Sequence, residues 1–555
     1  MKNNSKLKII ANFRAIFFVF VLGILCVFFA SKCIFSLYYM FFFAIPFAFC
    51  LLCLFKKRFY LCAFSLVFFV VVSVGCYAKI ANFEDKTLDG KSVTFSGKIV
   101  QIDQKREGSY YILFQGCQAV DENGNLFNIP GLVSAYVTPS NNQDFAWHNR
   151  VVFDATLVSN SSVNNKKELN EYYIKNNIKY SIAREYITFA ISSNDESNLI
   201  DKIHTRNKTI LTNSVGEEKA EIMFALLYGN KSNAPDNLLD LFKQNGVSHL
   251  FAVSGLHVAI LIAAIYFLLS IFHIKEGAKF AIISMFLLCF CALCSFSSAT
   301  VRASVMAEVL LFAKLVARRY DILNSVSFAG TILLAFNPLN LFDLGFQMTF
   351  GAVFGIVCVG GLLRKIKIKN TFLKVLFLSF ATTLTAQIGI LPILAKHFSI
   401  STWSVLANLL VVPIFEVLYP LLFVVNLLCF ALPAASFLFV LPKALLDVII
   451  YSNVLLAKLP FSSFNLADFG VVATLFYYLA IFVASNYFVV RAKTKLICLG
   501  ILALCFAFFV VNNSIVASQN DVAAACQTYV QQQSQPSANL QISLNTSLKN
   551  HKVLC

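Results

Sequence analysis

Charge is scarce in this chain of 555 residues: 13% of its side chains are Asp, Glu, Lys or Arg, about half the usual share of a soluble domain. Acids are the scarcer sign, 28 against 45 Lys and Arg. So little charge excludes a soluble enzyme, and so much apolar residue excludes a disordered chain. Hydrophobic residues make up 58% of the sequence and Phe alone occurs 58 times. That composition belongs to a polytopic membrane protein, whose many apolar stretches face lipid or one another. The 16 Cys lie mostly inside apolar runs, where they act as small hydrophobes rather than as a disulfide framework.

The distribution of charge sets an expected topology. Residues 1–78 hold eight basic side chains (Lys2, Lys6, Lys8, Arg14, Lys32, Lys56, Lys57, Arg58) and no acid. Apolar runs cover about 9–30, 33–55 and 59–78, with Lys56-Lys57-Arg58 between the last two. Short loops rich in Lys and Arg stay in the cytoplasm, so the N-terminus is expected inside and residues 79–215 outside. The run at 9–30 lacks a convincing small-residue cleavage site, which argues against a signal peptide. The net charge of +17 is then mainly a topology signal, although a basic face for nucleic acid remains a sharper reading of it.

Residues 79–216 carry balanced charge and alternate apolar with polar residues, as in Val93 to Val100, Tyr110 to Phe114 and Gly131 to Val137. Asp121-Glu122-Asn123-Gly124-Asn125 reads as a turn between two strands. A small β-barrel or sandwich of about five strands is expected, then a helix over about 166–178. Apolar character returns near Val247 and persists to about 512, interrupted by basic breaks at 273–275, 318–319, 364–369 and 491–495. These breaks predict spans near 247–272, 280–297, 299–317, 322–340, 341–363 and 371–395, two or more between 403 and 457, then 471–490 and 496–512. The total is about 11–13 transmembrane helices, and an odd count leaves the polar tail 513–555 outside.

Polar side chains inside spans are costly and usually face a bundle interior or a watery path. The densest set is Ser248 to Val258, where Ser254 and His257 sit three apart and Gly255 permits close approach or a helix break. A lumen-facing knot and a packed, bonded helix contact account for this spacing equally well. Arg302 and Glu308 lie six apart in one span and make no intrahelical pair, so each needs another partner or water; snorkelling is the plainer reading of Arg302. Gln347, Gln387, Asn408 and Glu416 are further polar groups in apolar stretches. Asn337-Pro338 and Leu391-Pro392 are expected to break helices, with Val412-Pro413 a third candidate. Gly351 and Gly355 read as helix packing. The pairs Cys50/Cys53 and Cys291/Cys294 lack nearby His or acid clusters, and Cys526 and Cys555 are candidates for a disulfide if the tail meets an oxidising compartment.

Ser248 to Val258 (SHLFAVSGLHV) resembles the signature of ComEC-type competence proteins, the inner-membrane DNA channels of natural transformation. Further blocks are similar in order: Leu227-Tyr228-Gly229 with Pro235 to Gly246, Thr300 to Ala303 (TVRA) with Arg318-Arg319, Asn337 to Leu339 with Phe342 to Phe350, and Gln387 to Pro392 with Ala407-Asn408 and Val412-Pro413. Gly97 to Val100, Tyr110 to Phe114, Tyr172-Tyr173 and Asn177-Ile178 resemble the family's extracytoplasmic OB-like domain. The resemblance covers about 80–425, and more loosely 1–490.

The resemblance implies a multi-pass protein of the bacterial inner membrane that passes single-stranded DNA into the cytoplasm. Its partners would be single-stranded DNA, membrane lipid, a DNA receptor and cytoplasmic motor or single-strand-binding proteins, with a homo-oligomer left open and no cofactor. Three transmembrane helices (1–78), the OB-like domain (79–190), connecting and amphipathic helices (191–246), the channel domain (247–512) and the tail (513–555) make up the expected organisation. Ser254, Gly255, His257, Arg302, Gln347, Gln387 and Asn408 are the expected residues of the DNA path, with Arg302 the candidate for phosphate. Tyr110, Tyr111, Phe114, Phe127 and Trp147 are of the type that stacks bases, though core packing suits most of them better. Many family members add a metallo-β-lactamase-like nuclease domain, whose metal cluster needs closely spaced His. The seven His of this chain (148, 204, 249, 257, 273, 397, 551) include no two that are two apart, and 43 residues beyond 512 are too few for that domain, so the chain is expected not to be an enzyme. A small-molecule transporter, or a membrane enzyme using His257 or His249 with Glu308, are the competing readings.

Topology gives the first test. Reporter fusions at residues 140 and 530 are expected to read extracytoplasmic, and a cytoplasmic signal at 140 would overturn the arrangement.

Overall fold

A computed structural model describes residues 67–104, 110–137, 150–160, 171–182, 190–192, 199–316, 322–459, 463–464, 469–485 and 493–510, apart from scattered positions inside these stretches. The first two expected spans, Trp147, Cys50, Cys53, Cys526, Cys555 and the tail lie outside the described residues. The positions described between 67 and 83 are helical, as expected of the third span's end. The described chain forms a mostly helical membrane protein with one small β domain.

The β domain contains β1 (Ser92–Gln104), β2 (Tyr110–Asp121), β3 (Leu126–Ile129), β4 (Leu132–Val137), β5 (Arg150–Ser159), β6 (Ile178–Ile182) and β7 (Ala190–Ser192). Its main path runs β1-β2-β4-β6-β5, and β5 pairs back onto β1, so five strands close a barrel. The pairs are antiparallel except β4 with β6, which is parallel. This is the OB-like arrangement that the resemblance implies. Closure requires the long β1 to bend between partners, and its register shifts between Ser96 and Lys98. Gly97 sits at that shift, where a Cβ would lie 2.9 Å from both Phe114 Cβ and Phe95 Cζ. The turn at Asp121 closes with Gly124 N–H donating to Asp121 O at 2.8 Å, Gly124 having φ +80°.

Apolar residues on alternate positions fill the barrel: Phe95, Ile99, Ile112, Phe114, Val133, Phe153, Leu157 and Tyr180 are buried. Phe114 is therefore core, Tyr111 is buried in a neighbouring cluster, and Tyr110 and Phe127 pack partly against the core. Burial pushes the Cys117 thiol up to about 12, so the barrel holds an inert cysteine. The helix α1 (Glu171–Asn176) precedes β6, within the stretch read as helical.

After the barrel come α2 (Leu199–Val215), α3 (Glu217–Tyr228), α4 (Asp236–Gln244), α5 (Gly255–Ile271), α6 (Glu276–Leu293), α7 (Ser298–Leu315), α8 (Ile322–Phe336), α9 (Leu344–Cys358), α10 (Thr371–His397), α11 (Ser404–Ala431) and α12 (Val440–Ala457). Then follow α13 (Gly470–Ala484) and α14 (Lys493–Val510). Among the described residues, five segments are long and apolar enough to cross a membrane: α6, residues 377–397 of α10, α11, residues 433–457 ending in α12, and α14. Shorter apolar helices include α5, α8 and α9. The described residues among 394–399 and 465–555 group as a separate compact unit, in which Phe476 of α13 stacks on Phe509 of α14 at 5.5 Å.

Two expectations about helix breaks need correcting. Pro392 lies inside α10, and Pro413 and Pro420 lie inside α11, so neither Leu391-Pro392 nor Val412-Pro413 ends its helix. Transmembrane helices tolerate proline where neighbours satisfy the freed carbonyl. Asn337-Pro338 does break the chain: α8 stops at Phe336 and a 3-10 helix covers Pro338–Phe342.

The paired glycines serve packing. A Cβ on Gly389 of α10 would collide with the Gly351 carbonyl of α9 and lie 3.0 Å from Gly355 Cα, so the two backbones touch. Gly389→Leu is expected to destabilise the solubilised protein by about 1–3 kcal/mol or more, read as a fall in melting temperature. Gly277→Ala, in α6 with nothing within 4 Å of its Cβ position, should leave it unchanged. Equal melting for both variants would refute the contact.

Candidate functional site: an interrupted helix and a shared carboxylate

The signature segment does not continue one helix from Val247. Ser248–Phe251 forms a 3-10 turn, Ala252 is extended, and α5 begins only at Gly255. The cause is local. Ser254 takes extended φ −97°, ψ 171° as the N-cap, and its backbone N–H donates to His257 Nδ1 at 2.7 Å. Its Oγ lies 2.8 Å from the same nitrogen. The ring thus takes the part that Glu or Gln plays in a capping box. Ser254 and His257 are indeed neighbours, as cap and third residue rather than as two points on one helical face.

His257 is fully buried, its ring 4.3 Å from Tyr419 and 4.9 Å from Phe415 in edge contacts. Both aromatics lie near the middle of the 28-residue α11. The first turn of α5 therefore starts beside the mid-length of a helix long enough to cross a membrane. Nothing lies within 4 Å of where a Gly255 Cβ would be, and Gly255 and Leu256 are exposed. The α5 start is thus open at Gly255, while the His257 N–H is capped by the Ser254 side chain; broken transmembrane helices turn such termini toward anions.

The second feature is centred on Asp343, the single acid between Asp321 and Glu416. It caps α9, its Oδ2 accepting from Phe346 N–H at 3.2 Å. The same oxygen accepts from Arg302 Nη1 at 2.9 Å, and Oδ1 pairs with Lys175 Nζ of α1 at 2.8 Å. Arg302 also donates to Ser298 Oγ at 2.6 Å. One carboxylate so joins the β domain, α7 and α9. Removing one partner of such a pair costs about 3–5 kcal/mol where it is buried. Apolar contacts seat the same junction: Ile174 of α1 with Phe83 and Leu339, and Tyr173 and Phe342 around them.

The other expected path residues are placed as follows. Gln347 donates to Leu341 O at 2.9 Å, Gln387 to Ser404 Oγ at 2.9 Å, and Asn408 to Ser404 O at 2.7 Å. Gln387 and Asn408 thus meet through Ser404, and Gly246 packs there too, its Cβ position 2.7 Å from Ser404 Cβ. Arg302 finds its partner in Asp343 rather than at a lipid surface, and Glu308 accepts from Ser284 Oγ at 2.9 Å. Cys291 Sγ lies 3.2 Å from Ser304 Oγ. Sequence reasoning assigned no role to Asp343, Lys175, Phe415 or Tyr419. The isolation of Asp343 among apolar and basic residues was a usable signal; the other three required tertiary contacts.

An interrupted helix in an apolar bundle, with a β-barrel tied to it by an ion pair, is the architecture of a polytopic membrane protein with an inserted β domain. The competence protein family profile matches residues 226–491, which include the signature segment, Arg302 and Asp343. ComE operon protein 3 of Bacillus subtilis (strain 168) is 29% identical over 252 residues, 45% of this chain and 31% of the relative. An uncharacterized protein of Aquifex aeolicus (strain VF5) is 28% identical over 299 residues, 53% of this chain and 66% of that one. The matched region spans about a third of the first relative and just under two thirds of the second. No solved structure matches. Over residues 226–491, just under half of its length, the chain is similar to the competence protein family.

Proposed function

We propose that this chain serves DNA uptake in competence as the inner-membrane path for single-stranded DNA, with the N-terminus inside and the barrel outside the cytoplasm. The observation that carries the reading is the open start of α5 within the competence-matching region. A strand of phosphodiesters needs a route where each phosphate meets weak, repeated attraction, because strong binding would stall it. Free backbone N–H groups at a helix start give that attraction without a full charge. Ser254 and the buried His257 hold the start in place, and Gly255 keeps it open. The neutral barrel agrees with a guiding role more than with tight capture. The chain is proposed to conduct DNA without cutting it.

The test is uptake of labelled DNA into protoplasts of a strain lacking the gene. Uptake should be lost on deletion and restored by the wild-type chain. Gly255→Leu should cut it about tenfold or more at normal membrane levels, because the new side chain points into open space and obstructs the opening without a clash. Unchanged uptake on deletion would refute the function, and unchanged uptake with Gly255→Leu would move the path elsewhere.

A further inference from the structure

The junction of barrel and bundle holds more positive than negative charge. Lys175 and Arg302 both turn to Asp343, with side chains 12%, 7% and 22% exposed respectively. The α9 N-terminus adds its own positive end at the same carboxylate. Arg302 is not fully used by this partner: its Nε is buried and meets no hydrogen-bond acceptor among the described residues. Gly345 lets the guanidinium lie flat against the α9 start, since a Cβ there would be 2.8 Å from Arg302 Nη2. The carboxylate is also the most exposed of the three groups, so the junction is reached from solvent on the side where the anion sits.

We propose that Asp343 is a built-in stand-in for a phosphodiester. In the resting protein its carboxylate occupies a phosphate-binding site made by Arg302, Lys175 and the Phe346 N–H. During passage a backbone phosphate takes that place. A guanidinium, an ammonium and a helix-start N–H converging on two oxygens form a usual recipe for phosphate. Displacing Asp343 hands Lys175 and Arg302 to the phosphate, which bridges them in the carboxylate's place while the apolar contact around Ile174 persists. This inference rests on the reading of the chain as a DNA path and adds to it a specific binding site with a resident competitor.

The sign of one substitution separates this from a purely structural ion pair. Full-length protein in phosphatidylcholine nanodiscs is titrated with a fluorescent oligothymidylate of about twenty nucleotides. Asp343→Asn should bind it about fivefold more tightly than wild type, because the competitor has lost its charge. Lys175→Gln should bind about threefold more weakly, with a shallower salt dependence. Weaker or equal binding by folded Asp343→Asn overturns the proposal. If that variant does not fold, unchanged affinity in Lys175→Gln overturns it instead. Repeating the titration in phosphatidylglycerol nanodiscs separates the sources of phosphate: if Asp343→Asn gains no affinity in phosphatidylcholine and retains anionic lipid instead, the occupant is a headgroup and the nucleic-acid assignment fails. Wild-type protein that binds no oligonucleotide, together with uptake that survives deletion of the gene, would instead sink the DNA-path reading itself.

Discussion

A charge at the edge of an apolar bundle must be paired, and in this protein Asp343 does the pairing for three elements at once. Without it Arg302 would be a nearly buried cation whose remaining polar contact is the hydroxyl of Ser298, a costly state in any low-dielectric setting. The barrel would lose its ionic tie to the bundle and α9 would lose its cap. The position of the β domain, the direction of the Arg302 fork and the start of α9 all follow from one carboxylate.

The interruption before α5 follows the same logic on a smaller scale. Backbone polar groups cannot be left open to hydrocarbon. At Ser254 the break is secured by a side chain from the next turn, His257, locked between Phe415 and Tyr419. A rigid break differs from a flexible one in keeping its helix N-terminus aimed in a fixed direction. The elements around it are bound by further buried polar contacts, including Asn245 Nδ2 donating to Asn453 O at 2.8 Å and Asn207 Nδ2 bonded to the Tyr228 hydroxyl.

Much of this was legible in the sequence because membrane helices and barrels leave periodic signals. Alternation at Val93 to Val100 and Tyr110 to Phe114 became β1 and β2, and the basic break at 273–275 fell between helices as expected, whereas Lys493 and Lys495 of the break at 491–495 lie inside α14. The signature segment marked the site, yet its first helical residue is Gly255 rather than Val247, because a cap formed by His257 is not a pattern read from hydropathy. Proline was over-read at 392 and 413, where the helices continue through it. Arg302 was singled out but its partner was not, since Asp343 lies 41 residues away and Lys175 lies in another domain. Local rules name a lone charge readily; only the fold says what it meets.

The central claim is that DNA passes the open start of α5. A photoreactive residue placed at Leu256, beside Gly255, or at Phe267, 69% exposed on the outer part of the same helix, can be combined with a DNA strand stalled in transit by a bulky end. The account predicts a cross-link from position 256 and none from position 267. Cross-linking from 267 alone, or from neither position while the strand is trapped in the protein, would contradict it.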